Sequence, residues 1–219
     1  MVRKSKGRKS KRESEDRRVI IFFVVVLIVF AAFLIPYFYL EGLKRFDFGG
    51  IKWKIEKYKS GDIYHGRFVS LNPHFNNTHN LYLRVDPRKN NVKVEGNLSN
   101  FRYGSAVSFD RRVSECKGDI PVTVITLGQF LMYGIGTLKL EVGYFDKNYS
   151  VEKNESFIDC NYKNKKRTIV ILKMGNESKV SVSPENPSCY IIEVRDCKDI
   201  APIEKFMVQS VIDFKRENK

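Results

Sequence analysis

The sequence predicts an α+β protein: a single N-terminal transmembrane helix followed by a mostly antiparallel, sandwich-like β domain that carries two helices. Three observations lead there. A run of twenty-two uncharged residues, Val19 to Leu40, follows a strongly basic stretch. Beyond it, apolar and polar residues alternate in six short segments, the period expected of half-buried strands. Two later segments change to helical spacing after an opening in which Asp precedes Pro.

Residues 1–18 hold nine Lys or Arg against three Asp or Glu, a net charge of +6, and read as a solvated cytoplasmic tail. Residues 19–40 are long enough, at a rise of about 1.5 Å per residue, to span roughly 30 Å of hydrocarbon. Their β-branched residues matter little in lipid, where the cost of unsatisfied backbone groups enforces a helix. Pro36 falls in the last turn, where it bends the helix, and Tyr37 and Tyr39 suit the outer headgroup layer. Basic residues stay on the cytoplasmic side, so the N-terminus is expected inside and the rest outside, at the cell membrane. A cleaved signal peptide is the competing reading, but the apolar run is longer than its usual core and YFYLEGLKRF offers no small-x-small site. The tail is also expected to meet anionic lipid headgroups, whereas it has no aromatic residue to stack on a base, so no nucleic-acid partner is expected. A connector, residues 41–50, leads to a domain over residues 51–215 and a short C-terminal tail, residues 216–219.

Two patterns agree with an outside location. Cys116, Cys160, Cys189 and Cys197 all follow the apolar run, and an even count in an oxidising compartment reads as two disulfides. Of the three possible pairings, the expected one joins Cys189 to Cys197 around YIIEVRD and Cys116 to Cys160. A four-cysteine metal site lacks the C-x-x-C spacing it would need. Asn-x-Ser/Thr sequons occur at Asn76, Asn97, Asn148, Asn154 and Asn176, all beyond the helix, an excess that marks a glycoprotein.

In the outer domain, IKWKIEKY sets Ile51, Trp53 and Ile55 against Lys52, Lys54 and Glu56, which assigns Trp53 to the core. DIYHGRFVSL, NLYLRV, NVKVEG, TLKLEVGY and CYIIEVRD alternate likewise. RTIVILKM is apolar on both faces and suits a central strand, KVSVS suits a short edge, and DPRKNN and PENP are turns. PVTVITLGQFLMYG and APIEKFMVQSVIDFKREN are the two helices, and their openings match, CKGDIP at Cys116 and CKDIAP at Cys197. Seven to nine strands are expected in all. LYLRVDPRKNNVKVEGN, together with CYIIEVRDCKDIAPIEKFMVQSVIDF, resembles a group of uncharacterised single-pass membrane proteins of archaea with very small genomes. The resemblance covers most of residues 45–215 and implies location and fold but no activity.

Chemistry-bearing patterns are few. His65, His74 and His79 are the three histidines, gathered within fifteen residues, and are the one metal-ligand candidate, since neutral imidazole is the commonest ligand for zinc and copper. Against that, His74 and His79 flank a polar turn and His65 lies on the strand face of Ile63 and Val69, an arrangement ordinary for a surface loop. There is no G-x-S-x-G, phosphate loop or dinucleotide fingerprint. YGIGTL reads as a helix C-cap, with Gly134 as its left-handed residue. Beyond the first eighteen residues the chain keeps thirty basic and twenty-two acidic residues, a net of +8. The expected function is therefore a bitopic cell-envelope protein whose outer domain is a binding or structural surface module. An envelope protein or glycan is the expected partner, with neither catalytic residue nor cofactor assigned. The alternatives are a membrane-anchored metalloprotein or hydrolase using His65, His74 and His79, and a pilin-like surface subunit, although DRRVII lacks a small residue at the processing position.

Overall fold

The structure, a computed structural model, describes residues 7–59, 61–72 and 77–218, with side chains from Val19 onward. Two compact units divide between Arg45 and Phe46. In the first, α1 (Gly7–Leu43) is one continuous helix, so helical backbone already runs through much of the basic stretch. Val19–Leu43 is long and apolar enough to cross a membrane. Pro36 lies inside this helix without ending it, although its ring removes one backbone hydrogen bond.

The second unit is a mixed α/β domain rich in sheet, as the alternating segments predict. Its smaller sheet has the order β1 (Arg45–Phe48), β2 (Ile51–Tyr58), β3 (Gly61–Val69), β4 (Thr78–Leu83), and both pairings β2–β3 and β3–β4 are antiparallel. β1 falls in the stretch that the sequence assigns to a connector. The larger sheet contains β5 (Lys93–Glu95), β6 (Gly104–Phe109), β7 (Lys139–Tyr144), β8 (Ser156–Phe157), β9 (Thr168–Met174), β10 (Lys179–Ser183) and β11 (Asn186–Val194). Their spatial order is β5-β10-β11-β9-β6-β7-β8. Antiparallel pairing is confined here to the β10–β11 hairpin, and the other five pairings are parallel. Alternation of side chains is the same in both directions, so the sequence pattern carried no information on this point; the connections decide it.

The right-handed rule for parallel crossovers assigns each of those connections to a face of the sheet. From β6 the chain passes through α2 (Arg111–Ser114) and α3 (Asp119–Gln129), which continues in a π-turn over Phe130–Gly134, to reach β7, and through α4 (Lys147–Lys153) to reach β8. Two steps in one direction keep these helices on one face. The return from β8 to β9 runs the opposite way and must cross the other face. The segment 158–167 does so without an α-helix, and Ile158 packs with Ala106, Ile169, Ile171 and Cys189 on that face. Ser108 Oγ donates to the Ile158 carbonyl at 2.8 Å, and Asn186 Nδ2 to the Cys160 carbonyl at 2.7 Å.

A disulfide completes this strap: Cys160 bonds to Cys189 of β11, and Cys116 bonds to Cys197. The expected pairing of Cys189 with Cys197 is thereby corrected. β11 holds Cys189 on the face beneath the strap, whereas Cys197 lies past the strand's end, where the two matching helix openings, CKGDIP and CKDIAP, are joined to each other.

The two long helices are those the sequence predicts, and α5 (Ala201–Glu217) occupies the centre of the domain. Its apolar residues Ile203, Phe206, Met207 and Val211 belong to one core with Trp53, Phe68, Leu81 and Leu83 of the small sheet and Val170, Leu172, Tyr190 and Ile192 of the large one. A ladder of rings crosses the layers, Phe68 to Phe130 at 6.1 Å, Phe130 to Phe206 at 6.4 Å, and Phe206 to Tyr190 at 5.3 Å. Gly134 lacks the left-handed backbone expected of it; Gly136, at φ 78°, takes that conformation instead. Gly134 is needed for space, because a Cβ there would stand 2.9 Å from the Phe130 ring and 3.1 Å from that of Phe68.

Glu204 of α5 is 3 % exposed and accepts the backbone N–H groups of Arg84 at 2.8 Å and Val85 at 2.9 Å. Burial pushes its carboxyl up to about 7 against the pull of those two amides. A carboxyl whose folded pKa exceeds its unfolded value stabilises the fold through its proton, a contribution complete near pH 4.5 and lost as pH rises through about 7. On the order of 3 kcal/mol of stability is therefore expected to disappear between those limits. Urea unfolding across this pH range should show the fall in the parent chain and its loss in Glu204→Gln, where the buried His79 leaves a shallow rise with pH. Replacing Cys160 and Cys189 together by Ala should lower stability by roughly 3 to 4 kcal/mol, from the chain entropy of the 29-residue separation. Limited proteolysis should then cut first within residues 158–167.

Candidate binding face

The small sheet has one face in the core and one in solvent, and the solvent face carries an organised polar network. Alternation along β2, β3 and β4 sends Trp53, Phe68, Leu81 and Leu83 inward, and Lys52, Lys54, Glu56, His65, Arg67, Asn80 and Tyr82 outward. The antiparallel register sets Lys52 opposite Arg67, Lys54 opposite His65, His65 opposite Tyr82, and Arg67 opposite Asn80. Directly opposed residues lie about 4.5 to 5.5 Å apart at Cβ, so these side chains form one continuous surface.

His65 is only 8 % exposed although it lies on the solvent side. The Tyr82 ring covers it in a stacked contact, 4.5 Å between centroids and 18° between planes. Its Nδ1 is 3.2 Å from Glu56 Oε1 and its Nε2 is 3.0 Å from Asn80 Oδ1. Arg67 Nε donates to the same Asn80 oxygen at 3.1 Å, and the Tyr58 hydroxyl donates to Glu56 Oε2 at 3.1 Å. Burial alone would raise the Glu56 carboxyl, but the hydrogen bonds from His65 and Tyr58 outweigh it and hold the group below its ordinary value. The result is a chain of fixed groups, Tyr58–Glu56–His65–Asn80–Arg67, beneath a half-exposed Tyr82.

His65 and His79 do not converge. His79 follows the other parity of β4 and points inward, with Phe68 at 5.4 Å and Phe130 at 6.3 Å, and burial lowers its pKa. His65 and His79 are thus on opposite faces of the same sheet, and both ring nitrogens of His65 are already occupied by side-chain partners. His74 lies outside the described residues. Among the described residues, no three His, Cys, Asp or Glu side chains come together as a metal set, and all four cysteines are in disulfides. His79, with Asn77, Thr78, Asn80 and Tyr133, lines a cleft of about 460 Å³.

The other place to expect chemistry is the crevice at the carboxyl ends of β6 and β9, where the order of the parallel strands reverses. Asp110 closes it. Its Oδ1 accepts the Val113 N–H at 2.7 Å, its Oδ2 accepts the Met174 N–H at 2.9 Å, and its own N–H donates to the Leu172 carbonyl at 3.0 Å. Arg112 adds a bond to the Met174 carbonyl at 3.0 Å. The mouth of the crevice is stitched by the chain itself.

Of the sequon asparagines, Asn97, Asn148, Asn154 and Asn176 are exposed, and Asn76 lies outside the described residues. Asn97 is the most constrained of them, because its Nδ2 donates to Glu217 at 2.5 Å. Glu56, Arg67, Asn80, Tyr58 and Tyr82 were not singled out by sequence motifs. The signal that finds them is the shared parity of three neighbouring strands, which becomes visible once the register is known.

No protein-family model, no curated protein and no solved structure matches this chain. His65→Ala should strand Glu56 and Asn80 without their shared partner and lower stability by about 1 to 2 kcal/mol. Urea unfolding measures this directly, and a neutral result would mean the network contributes nothing to the fold.

Proposed function

We propose that this chain is a single-pass membrane protein, N-terminus cytoplasmic, whose disulfide-bonded domain lies outside the cell membrane and binds an acidic glycan of the envelope through the outer face of the small sheet. The single observation that carries the ligand class is the Tyr82 ring laid over a fixed His65 and bordered by Asn80 and Arg67. An aromatic face exposed beside polar donors suits the apolar face of a sugar ring, and a guanidinium suits the carboxylate of a uronic acid. Lys52, Lys54 and Arg67 outnumber the anions Glu56 and Asp47 on this face, which favours a negatively charged partner.

The location rests on three supports: nine basic residues before an apolar helix of membrane-spanning length, two disulfides, and exposed sequon asparagines that suit a glycoprotein. The resemblance to single-pass proteins of small-genome archaea agrees with it. The helix would confine the domain to the membrane plane and raise its effective concentration near envelope components.

Binding of a uronic-acid polysaccharide to the full chain in detergent, with neutral dextran as the control, tests the ligand class. Retention of the acidic polymer should weaken with salt, and Tyr82→Ala and Arg67→Ala should each reduce affinity by about 5- to 30-fold. Equal binding of both polymers, or variants that bind as the parent does, would overturn it. Protection of the N-terminus and cleavage of the domain by protease added outside intact cells tests the orientation separately.

A further inference from the structure

An N-linked sugar needs two free groups, the side-chain amide of an Asn and the hydroxyl two residues on, in a segment that a transferase can grip. The fold treats the four described sequons differently. At Asn97 both groups are spent on one carboxylate of α5: Asn97 Nδ2 donates to Glu217 Oε1 and Ser99 Oγ to Glu217 Oε2, each at 2.5 Å. Leu98, between them, is fully buried. At Asn148 the asparagine is exposed, but Tyr149 and Ser150 are turned into the domain, 6 % and 2 % exposed. The Tyr149 ring packs edge-on against Tyr144 at 4.8 Å, and Ser150 Oγ donates to the Lys147 carbonyl at 2.8 Å. At Asn176 the hydroxyl is again taken, since Ser178 Oγ donates to Asp199 Oδ2 at 2.5 Å.

Asn154 is placed otherwise. It caps the C-terminus of α4 in the left-handed conformation, at φ 54° and ψ 40°, which Asn adopts more readily than most residues. Asn154, Glu155 and Ser156 are all exposed, and among the described residues neither the side-chain amide of Asn154 nor the Ser156 hydroxyl has a hydrogen-bond partner. The backbone there is nevertheless fixed. The Asn154 N–H donates to the Val151 carbonyl at 3.1 Å and the Glu155 N–H to the Ser150 carbonyl at 2.9 Å, so an ordered turn presents both functional groups to solvent.

We infer, on the glycoprotein reading proposed above, that Asn154 is the glycan acceptor that the folded domain offers, in preference to Asn97, Asn148 and Asn176. The donor class is an oligosaccharide carried on a polyisoprenyl diphosphate. Nδ2 of Asn154 attacks the anomeric carbon of the first sugar, and the new C–N bond forms as the C–O bond to the diphosphate breaks. The lipid diphosphate leaves with the electron pair, and the amide nitrogen gives one proton to a base of the transferase. At Asn154 no native side-chain bond has to break first. At Asn97 and Asn176 the transferase would have to free a hydroxyl held by a carboxylate, a charge-assisted bond of the stronger class. At Asn148 it would have to pull Tyr149 and Ser150 out of their packing.

The test is a glycopeptide map by mass spectrometry of the full chain purified from its native membranes, for the parent and three variants. Asn154 is expected to carry sugar in a larger share of chains than Asn97, Asn148 or Asn176. Asn154→Gly keeps a residue suited to positive φ, and Ser156→Ala leaves Asn154 in place without the hydroxyl of the pattern. Each should remove one glycan from the intact mass. Ser156→Thr should retain it, because Thr also completes the pattern. Matching thermal unfolding of the unglycosylated variants and of the parent stripped of sugar would show that the fold is kept. Equal occupancy at all four sequons, sugar confined to the other three, or a Ser156→Ala chain that keeps its Asn154 glycan would overturn the inference and leave the glycoprotein reading standing. A parent chain without sugar at any sequon, Asn76 included, would overturn that reading and the inference with it.

Discussion

The domain depends on a helix that has no solvent face along most of its length. α5 buries Ile203, Glu204, Phe206, Met207, Val208, Ser210, Val211 and Asp213, so both sheets use it as common core. Such a position has a strict polar requirement, because a buried donor or acceptor left unpaired costs about 1 to 3 kcal/mol. The irregular stretch between β4 and β6 meets it. Arg84 and Val85 give their amides to Glu204, Leu98 gives its amide to Asp213 at 3.0 Å, and the Asn90 side chain donates to the Ala201 carbonyl at 2.9 Å. Residues 84–103 read in sequence as turns around the short strand NVKVEG, but the backbone of Arg84, Val85 and Leu98 serves as the polar lining of a helix groove. Because that lining begins at the end of β4, it also fixes the small sheet, and with it the surface formed by Tyr82, Asn80 and His65.

Elements with a single strong period were legible from the sequence. The alternation of IKWKIEKY placed Trp53 in the core, RTIVILKM read correctly as a strand apolar on both faces, and the two helices after Asp119 and Asp199 stand where their spacing put them. β6 was not legible. Its sequence GSAVSF contains Ser105 and Ser108, which read as polar, yet both are fully buried at the middle of the large sheet. Ser108 bonds to the strap, while Ser105 Oγ has no hydrogen-bond partner among the described residues. With β6 missing, the parallel order could not be inferred, nor the crossing of residues 158–167, nor the pairing of Cys160 with Cys189. The disulfide error and the strand-direction error therefore share one cause. The candidate face was illegible for a different reason: its residues are far apart in sequence, and only register brings them together.

Charge distribution explains why the small sheet, and not the large one, presents the candidate face. On the strap side of the large sheet nearly every charge has an internal partner. Lys173 and Lys179 lie 3.2 and 3.7 Å from Glu193, and Lys93 pairs with Glu95 at 2.5 Å. Glu141 is surrounded by Lys163 at 2.7 Å, Arg167 at 3.2 Å and Lys139 at 3.3 Å. The hydrogen bonds from Lys163 and Tyr162 hold its carboxyl down at about 2. The Glu141 pairs hold the strap, and together these pairs leave little field to attract a ligand, since opposite charges a few ångströms apart cancel beyond about a Debye length. On the small sheet Glu56 is turned toward His65 and Tyr58, while Lys52 and Arg67 stand side by side across the β2–β3 pair. Like charges placed directly opposite each other destabilise a sheet. A domain that retains such a pair beside a fixed aromatic ring gives up some stability for a surface that an anionic, ring-bearing partner would complete.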